Sequence, residues 1–435
     1  MCILVPILPL MSSATNKQSY ATSLFLVGCL YFIFGFVTWL NGSLIPFLQT
    51  ACELTDFQAY LVTFAFYISY FVMALPSSFI LNKTGFKKGM SLGLLIMAVG
   101  SLIFIPAANQ RNYTYFLTGL FMQGLGLAVL QTAVNPYVTI LGPEETAAKR
   151  ISIMGIANKV AGISSPLILA AVLLHGIDDI NAQLKTVSDT SLKTQLLNDL
   201  AQRIVNPYMI VTIVLVVLAL LILISPLPNL KDEEVNPEEL TKGERSSITA
   251  HPYLFLGAIA IFLYVGVEVM AGDTIINYGK YFNMPMDNAK FFTSITLSCM
   301  VGGYFLGIAL MPKIISQETA LKLCAILGIV FTIGVLVTSG ITSVIMVACL
   351  GLAHSLMWPA IFPMSLKGLG RHTKRGAAFL IMGIAGGAIL PLIYGQVADM
   401  TNRQTAYVIM IPCYLYILYF AVKGHLVGYK EVKSI

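Results

Sequence analysis

Of the twenty acidic residues in the chain, Glu268 and Asp273 alone fall well inside a long apolar stretch, YLFLGAIAIFLYVGVEVMAGDTIINYG at 253–279. A charge at the centre of a bilayer costs at least about 2.5–3.5 kcal/mol on insertion scales, so such residues are functional candidates. Asp273 and Asn277 are one helical turn apart and share a face, with Thr274 beside them. Carboxylate, amide and hydroxyl oxygens together suit an alkali cation such as sodium at Asp273, with Glu268, Thr274 and Asn277 as further coupling-ion residues. A carboxylate alone in an apolar cavity suits a proton instead. Gly272 is expected to let the helix loosen here and free backbone carbonyls for the ion. Glu268 stands roughly 140° around the helix from Asp273, so the two need not share a site. Lys159, in the apolar stretch 150–174, has two readings. It snorkels to the nearer membrane face, or it pairs with a carboxylate of 253–279 as an internal counter-ion, which would weaken the case for an external coupling cation.

These residues need a scaffold, and composition defines it. The chain is 57% hydrophobic and 11% charged, against roughly 25% charged in soluble domains. Its seven cysteines show no ligand-like spacing, which excludes a disulfide scaffold. The net charge of +6 is spread over short loops, which argues against a nucleic-acid partner. No phosphate-binding GxxxxGK[ST], HExxH or GxSxG pattern occurs, so ATP-driven and hydrolytic chemistry have no basis and no enzyme is expected. Stretches of about 20 apolar residues recur at 22–47, 57–81, 88–107, 113–139, 150–174, 204–226, 252–279, 288–312, 319–339, 341–366, 376–397 and 404–424. The sequence therefore predicts an all-α membrane protein of twelve transmembrane helices. The least distinct division is at Gly340. Eighteen of the 26 lysines and arginines lie on the side of the two termini and seven on the other, so both termini are expected in the cytoplasm. The opening MCILVPILPL is too short to span and lacks a basic leader, leaving translation start at Met1 or Met11 open.

An internal repeat divides the chain. Pro136, Lys149-Arg150, IMGIA at 153–157 and Pro166 form one series; Pro359, Lys374-Arg375, IMGIA at 381–385 and Pro391 form the other. Four landmarks in the same order indicate two pseudo-symmetric six-helix halves, 22–226 and 252–424. They are flanked by tails at 1–21 and 425–435 and joined by a charged linker at 227–251. Parallel halves of this kind describe the major facilitator architecture, with its site at the midplane between them.

NPYVTILGPE at 135–144 and SLMWPAIFPMSLKGLGRHTKRGAAFLIMGIAGGAILPLIYGQVAD at 355–399 resemble the fucose–galactose–glucose symporter branch of the major facilitators. LTDFQAYLVTFAFYISYF at 54–71 and YVGVEVMAGDTIINY at 264–278 fit the same branch, and the similarity runs over most of the chain. LNKTGFKKG at 81–89 is a weak match to the general facilitator loop, with Asn82 where an aspartate is usual. The resemblance implies a hexose symporter of the bacterial cytoplasmic membrane. Glu268 places it nearer the glucose/galactose members than the fucose permease. In the fucose type an aspartate of the first helix and a glutamate of the fourth carry the proton. The matching positions here are Gly42 and Gln131, which cannot titrate.

A sugar site wants bidentate amides and carboxylates with an aromatic face for the C–H side of the ring. Gln131 and Asn135 are one turn apart in the fourth span; Asn41, Asn158 and Asn277 add amides in the first, fifth and seventh. Glu268 is a candidate on the same grounds. Trp39 and Trp358 are the only tryptophans, and each is a sugar platform or an interfacial anchor. His354, on the face of Trp358, binds sugar or satisfies a neighbouring helix. Gly386-Gly387 reads as a helix-packing surface. The expectation is alternating-access import of a neutral hexose by a monomer in membrane lipid, with no cofactor beyond the coupling ion and sodium favoured over proton. The alternatives are proton-coupled symport, uniport, transport of an amino sugar or other sugar, and a sugar receptor that does not transport.

Overall fold

A computed structural model of the chain describes residues 12–140, 147–187, 189–225, 227, 248–311, 314–369 and 373–428. The start of the N-terminal tail, most of the linker and the end of the C-terminal tail lie outside these residues. In hydrocarbon every backbone polar group must be satisfied within its own segment, so apolar stretches become helices. Among the described residues, twelve such helices are long and apolar enough to cross a membrane. They are Thr22–Ala51, Asp56–Ser77, Lys83–Asn109, Tyr113–Asn135, Ile153–Leu173, Thr190–Ile224, Pro252–Tyr281, Met286–Leu310, Gln317–Val337, Gly340–Leu366, Gly376–Met400 and Thr405–Val422. Each coincides with an expected span. The ninth and tenth are separated by Gly340 in the left-handed region, at φ +61°, where a side chain would be strained. After the fifth span comes a short polar helix, Ile177–Thr186, and the sixth span opens on a second polar helix, Thr190–Gln202, before its apolar part Val205–Ile224.

The spans form two pseudo-symmetric halves of six. These meet along the second and eleventh, the fifth and eighth, and the first and seventh spans. Thr55 starts the second span with a capping box: its hydroxyl accepts from the Gln58 amide, and its own amide donates to the Gln58 side chain.

The seventh span runs as one helix, Pro252–Tyr281, so the loosening expected at Gly272 does not occur. A Cβ on Gly272 would stand 2.3 Å from Trp39 Cζ3, so the missing side chain makes room for the indole. The Gly272 carbonyl accepts a 2.8 Å hydrogen bond from Thr293 Oγ1. The interruption falls in the first span instead, where helix Ser12–Thr38 ends and helix Asn41–Ala51 begins. Trp39 at this break lies against Gly162 as well as Gly272 and is 4% exposed, which rules out the interfacial anchor. The tenth span breaks likewise between His354 and Met357, and the eleventh tightens into a 3-10 turn at Gly383–Ala385, within its IMGIA. There Gly383 and Gly386 bring the helix against the backbone of Ala258 and Phe262, the packing role expected of the glycines.

Candidate functional site

Where the breaks of the first and tenth spans face the fifth and seventh, charge and aromatic rings converge. Lys159 Nζ donates to Glu268 Oε1 at 3.0 Å, and both side chains are about nine-tenths buried. The ammonium also lies 5.2 Å from the centroid of the Trp39 ring. Lys159 therefore points inward as a counter-ion and does not snorkel. The pair bridges the two halves, and Tyr304 stands within electrostatic reach of both its charges. One turn before Glu268, the Tyr264 ring is 6.4 Å from both His354 and Trp358, and Trp358 stacks on Phe362 at 5.3 Å. His354 Nε2 and Tyr414 OH are 2.6 Å apart, so His354 does satisfy a neighbouring helix; its Nδ1 is buried with no protein partner.

The amides of the first half form a second group. Gln131 Nε2 donates to Tyr70 OH at 2.8 Å, Tyr31 OH donates to Asn135 Oδ1 at 2.7 Å, and Asn158 Nδ2 donates to the Tyr31 carbonyl at 3.3 Å. Gln131, Asn135, Asn158 and Trp358 are partly exposed. Asn41, at the break in the first span, is 1% exposed, and neither its Oδ1 nor its Nδ2 finds a protein partner. Buried polar groups are overwhelmingly hydrogen-bonded, so an orphan amide beside a helix break marks a place for a polar ligand or water.

Asp273 belongs to a different neighbourhood. It is 1% exposed; Thr63 donates to its Oδ2 at 3.1 Å, and its Oδ1 is buried without a partner. The residues expected around it bond to other groups, although Asn277 Oδ1 is itself buried without a partner. Thr274 Oγ1 lies 2.7 Å from the Met270 carbonyl and 2.5 Å from Tyr407 OH, and Asn277 Nδ2 donates to Gln49 Oε1 at 2.8 Å. Asp273 and Glu268 thus have separate partners. Among the described residues, no group of three or more His, Cys, Asp or Glu is placed to hold a metal ion.

Beyond Asn277, at the end of the bundle opposite the termini, Arg403 grips Asp56 with two bonds of 2.8 and 2.7 Å. Burial opposes the charge on Arg403, but the Asp56 carboxylate outweighs it and holds the guanidinium above its usual range. Sequence reasoning missed Thr63, Tyr264, Gln49, Asp56 and Arg403. Tyr264 is one turn from Glu268 within YVGVE, a spacing that was readable. Asp56 and Arg403 are opposite charges at span ends on the same side of the two halves, also a readable signal.

Residues 27–391 match the family model described as Major Facilitator Superfamily. A glucose/galactose transporter of Brucella abortus (strain 9-941) is 32% identical over 421 residues, covering 96% of this chain and 97% of that protein. The L-fucose-proton symporter of Escherichia coli (strain K12) is 30% identical over 418 residues, 94% of each chain. A crystal structure of the transporter FucP in the outward conformation superposes with a TM-score of 0.70 at 28% identity, covering 95% of this chain and all of that one. Twelve spans in two matched halves, polar groups gathered between them and similarity along nearly the whole length lead to one conclusion: the chain belongs to the Major Facilitator Superfamily, as a multi-pass membrane transporter and not an enzyme.

Proposed function

We propose that the chain is a symporter of a neutral hexose of the glucose/galactose type, driven by protons. It sits in a bacterial inner membrane with both termini cytoplasmic. The halves 22–226 and 252–424 rock around a sugar held between them. Relatives named for glucose and galactose and relatives named for L-fucose both align over most of the chain, which supports a sugar as cargo. Glu268, Gln131, Asn135, Asn158 and Asn41 would supply hydrogen bonds, with Trp358 as the aromatic platform.

The preference for sodium over proton, drawn from the oxygens near Asp273, gives way on one observation. Thr274 is bonded to Tyr407, Asn277 donates to Gln49, and neither is bonded to Asp273, which keeps a single hydroxyl donor and a free Oδ1. An unpaired buried carboxylate is costly, and a proton neutralises it without the oxygen cage an alkali ion needs. The similar L-fucose-proton symporter of Escherichia coli is named for the proton. Since Gly42 and Gln131 cannot carry it, Asp273 takes that role, with Glu268 held by Lys159.

The Lys159–Glu268 pair favours a second reading, uniport, in which the resident ammonium replaces a coupling cation. Labelled glucose uptake into proteoliposomes, with inward proton or sodium gradients imposed separately, separates the readings. Accumulation driven by protons alone is the expected result. Accumulation driven by sodium alone overturns the ion. Exchange without accumulation favours uniport, and no glucose exchange moves the cargo to another sugar.

A further inference from the structure

We propose that Asp56, Arg403, Gln49 and Asn277 form a gate at the end of the transport path opposite the termini. We infer further that Asn277 and Thr274 are positioning residues tying this gate to Asp273. The second statement rests on Asp273 as the ion carrier; the first does not.

The bonds run back and forth between the halves. Asp56, from the first half, receives both arms of Arg403 from the second and also accepts from Gln49 Nε2 at 2.7 Å. Gln49 in turn accepts from Asn277 Nδ2 of the second half, and Arg403 closes the circuit by donating to the Asn277 carbonyl at 2.9 Å. Asp399, also of the second half, accepts from the Asp56 and Phe57 amides at 3.0 and 2.8 Å. That carboxylate satisfies exposed donors at the start of the second span, where negative charge is favoured. Separating the halves at this end must break the bonds that cross it: Arg403 to Asp56, Asn277 to Gln49, and the Asp56 and Phe57 amides to Asp399. The ion pair keeps some exposure, 18% for Arg403 and 10% for Asp56, so entering water can rehydrate both charges as it parts. That suits a contact made and broken in each cycle, unlike a fully dry pair.

Beneath the ion pair lies an aromatic layer. Tyr60 of the first half meets Tyr394 edge-on at 5.5 Å, and Tyr394 lies 5.0 Å from Tyr407. Two paths lead from this gate towards Asp273. Asn277 sits one helical turn beyond it. Thr274, its chain neighbour, bonds to Tyr407 OH, and Tyr394 OH donates to the Arg403 carbonyl at 2.9 Å. Asp273 is bonded to neither Asn277 nor Thr274, so a change of charge there reaches the gate through the seventh span they share and through Thr63, its bonded partner one turn from Tyr60 on the second span.

Hydrogen–deuterium exchange by mass spectrometry on the full chain in lipid nanodiscs, without sugar, tests both statements and is independent of whether uphill transport is observed. Arg403→Gln is expected to raise deuterium uptake several-fold in peptides covering 49–57 and 399–407, and Arg403→Lys, which keeps the charge but loses the two-armed grip, to raise it less. Unchanged uptake in Arg403→Gln overturns the gate. So does a uniform rise over all spans, which would assign the pair to fold stability alone. Asp273→Asn is expected to change uptake in the same two peptides; if it matches wild type, the link to Asp273 is overturned.

Discussion

Lys159 and Glu268 form a 3.0 Å ion pair between the two halves, with the lysine also set over the face of Trp39. Removing one partner of a buried pair leaves an uncompensated charge and costs about 3–5 kcal/mol, whereas neutralising both is far milder. Glu268→Gln or Lys159→Met alone is therefore expected to lower the melting temperature in detergent markedly. The double variant is expected to recover most of that loss without recovering sugar binding. A double variant as unstable as the singles would show that the pair's charges are not what holds the halves.

Asp273→Asn keeps an acceptor for the Thr63 hydroxyl and removes the titrating group. Accumulation against a gradient is expected to vanish while sugar exchange between the two faces of a proteoliposome survives. Uphill uptake left intact would remove Asp273 from coupling.

Gln131 gives one of its amide hydrogens to Tyr70, which leaves its carbonyl oxygen for a ligand. Losing one hydrogen bond to a neutral hydroxyl is worth about 0.5–1.5 kcal/mol. Gln131→Ala is thus expected to raise the KM for sugar by roughly 2- to 12-fold with little change in maximal rate, the signature of lost uniform binding. Initial-rate kinetics over a range of sugar concentration decides this; a fall in maximal rate at constant KM would place Gln131 in the conformational step.

The charges inside spans were legible in the sequence because the bilayer makes each one costly, and the observed Lys159–Glu268 pair joins two of those residues. The twelve spans were legible for a related reason, since a helix is the way a single apolar stretch satisfies its backbone in lipid. What the sequence did not disclose depends on which helix faces which. Thr274 and Asn277 have the right groups at the right spacing for Asp273, yet their side chains bond to Tyr407 and Gln49, more than 120 positions away. Trp39 looked equally suited to an interface or a cavity. Its burial is decided by Gly162 and Gly272, two absent side chains on other spans.

That contact yields a prediction for Gly272. A Cβ there would stand 2.3 Å from Trp39 Cζ3 and within 3.3 Å of two further indole atoms. The indole is itself pressed against Gly162 and touches Leu297 and Met300, so it has little room to withdraw. Overpacking of this kind costs about 1–3 kcal/mol. Gly272→Ala is expected to lower stability by that amount and, by pushing Trp39, to disturb the ring over which Lys159 sits, weakening sugar binding as well. Trp39→Leu placed on Gly272→Ala should relieve the clash and restore the melting temperature, but not sugar binding, because the aromatic face is gone. Melting curves and equilibrium sugar binding on the three variants separate the two effects. If Gly272→Ala matches wild type in both, the first span can move away from the seventh at this point, and the break at Trp39–Leu40 is not held by their contact.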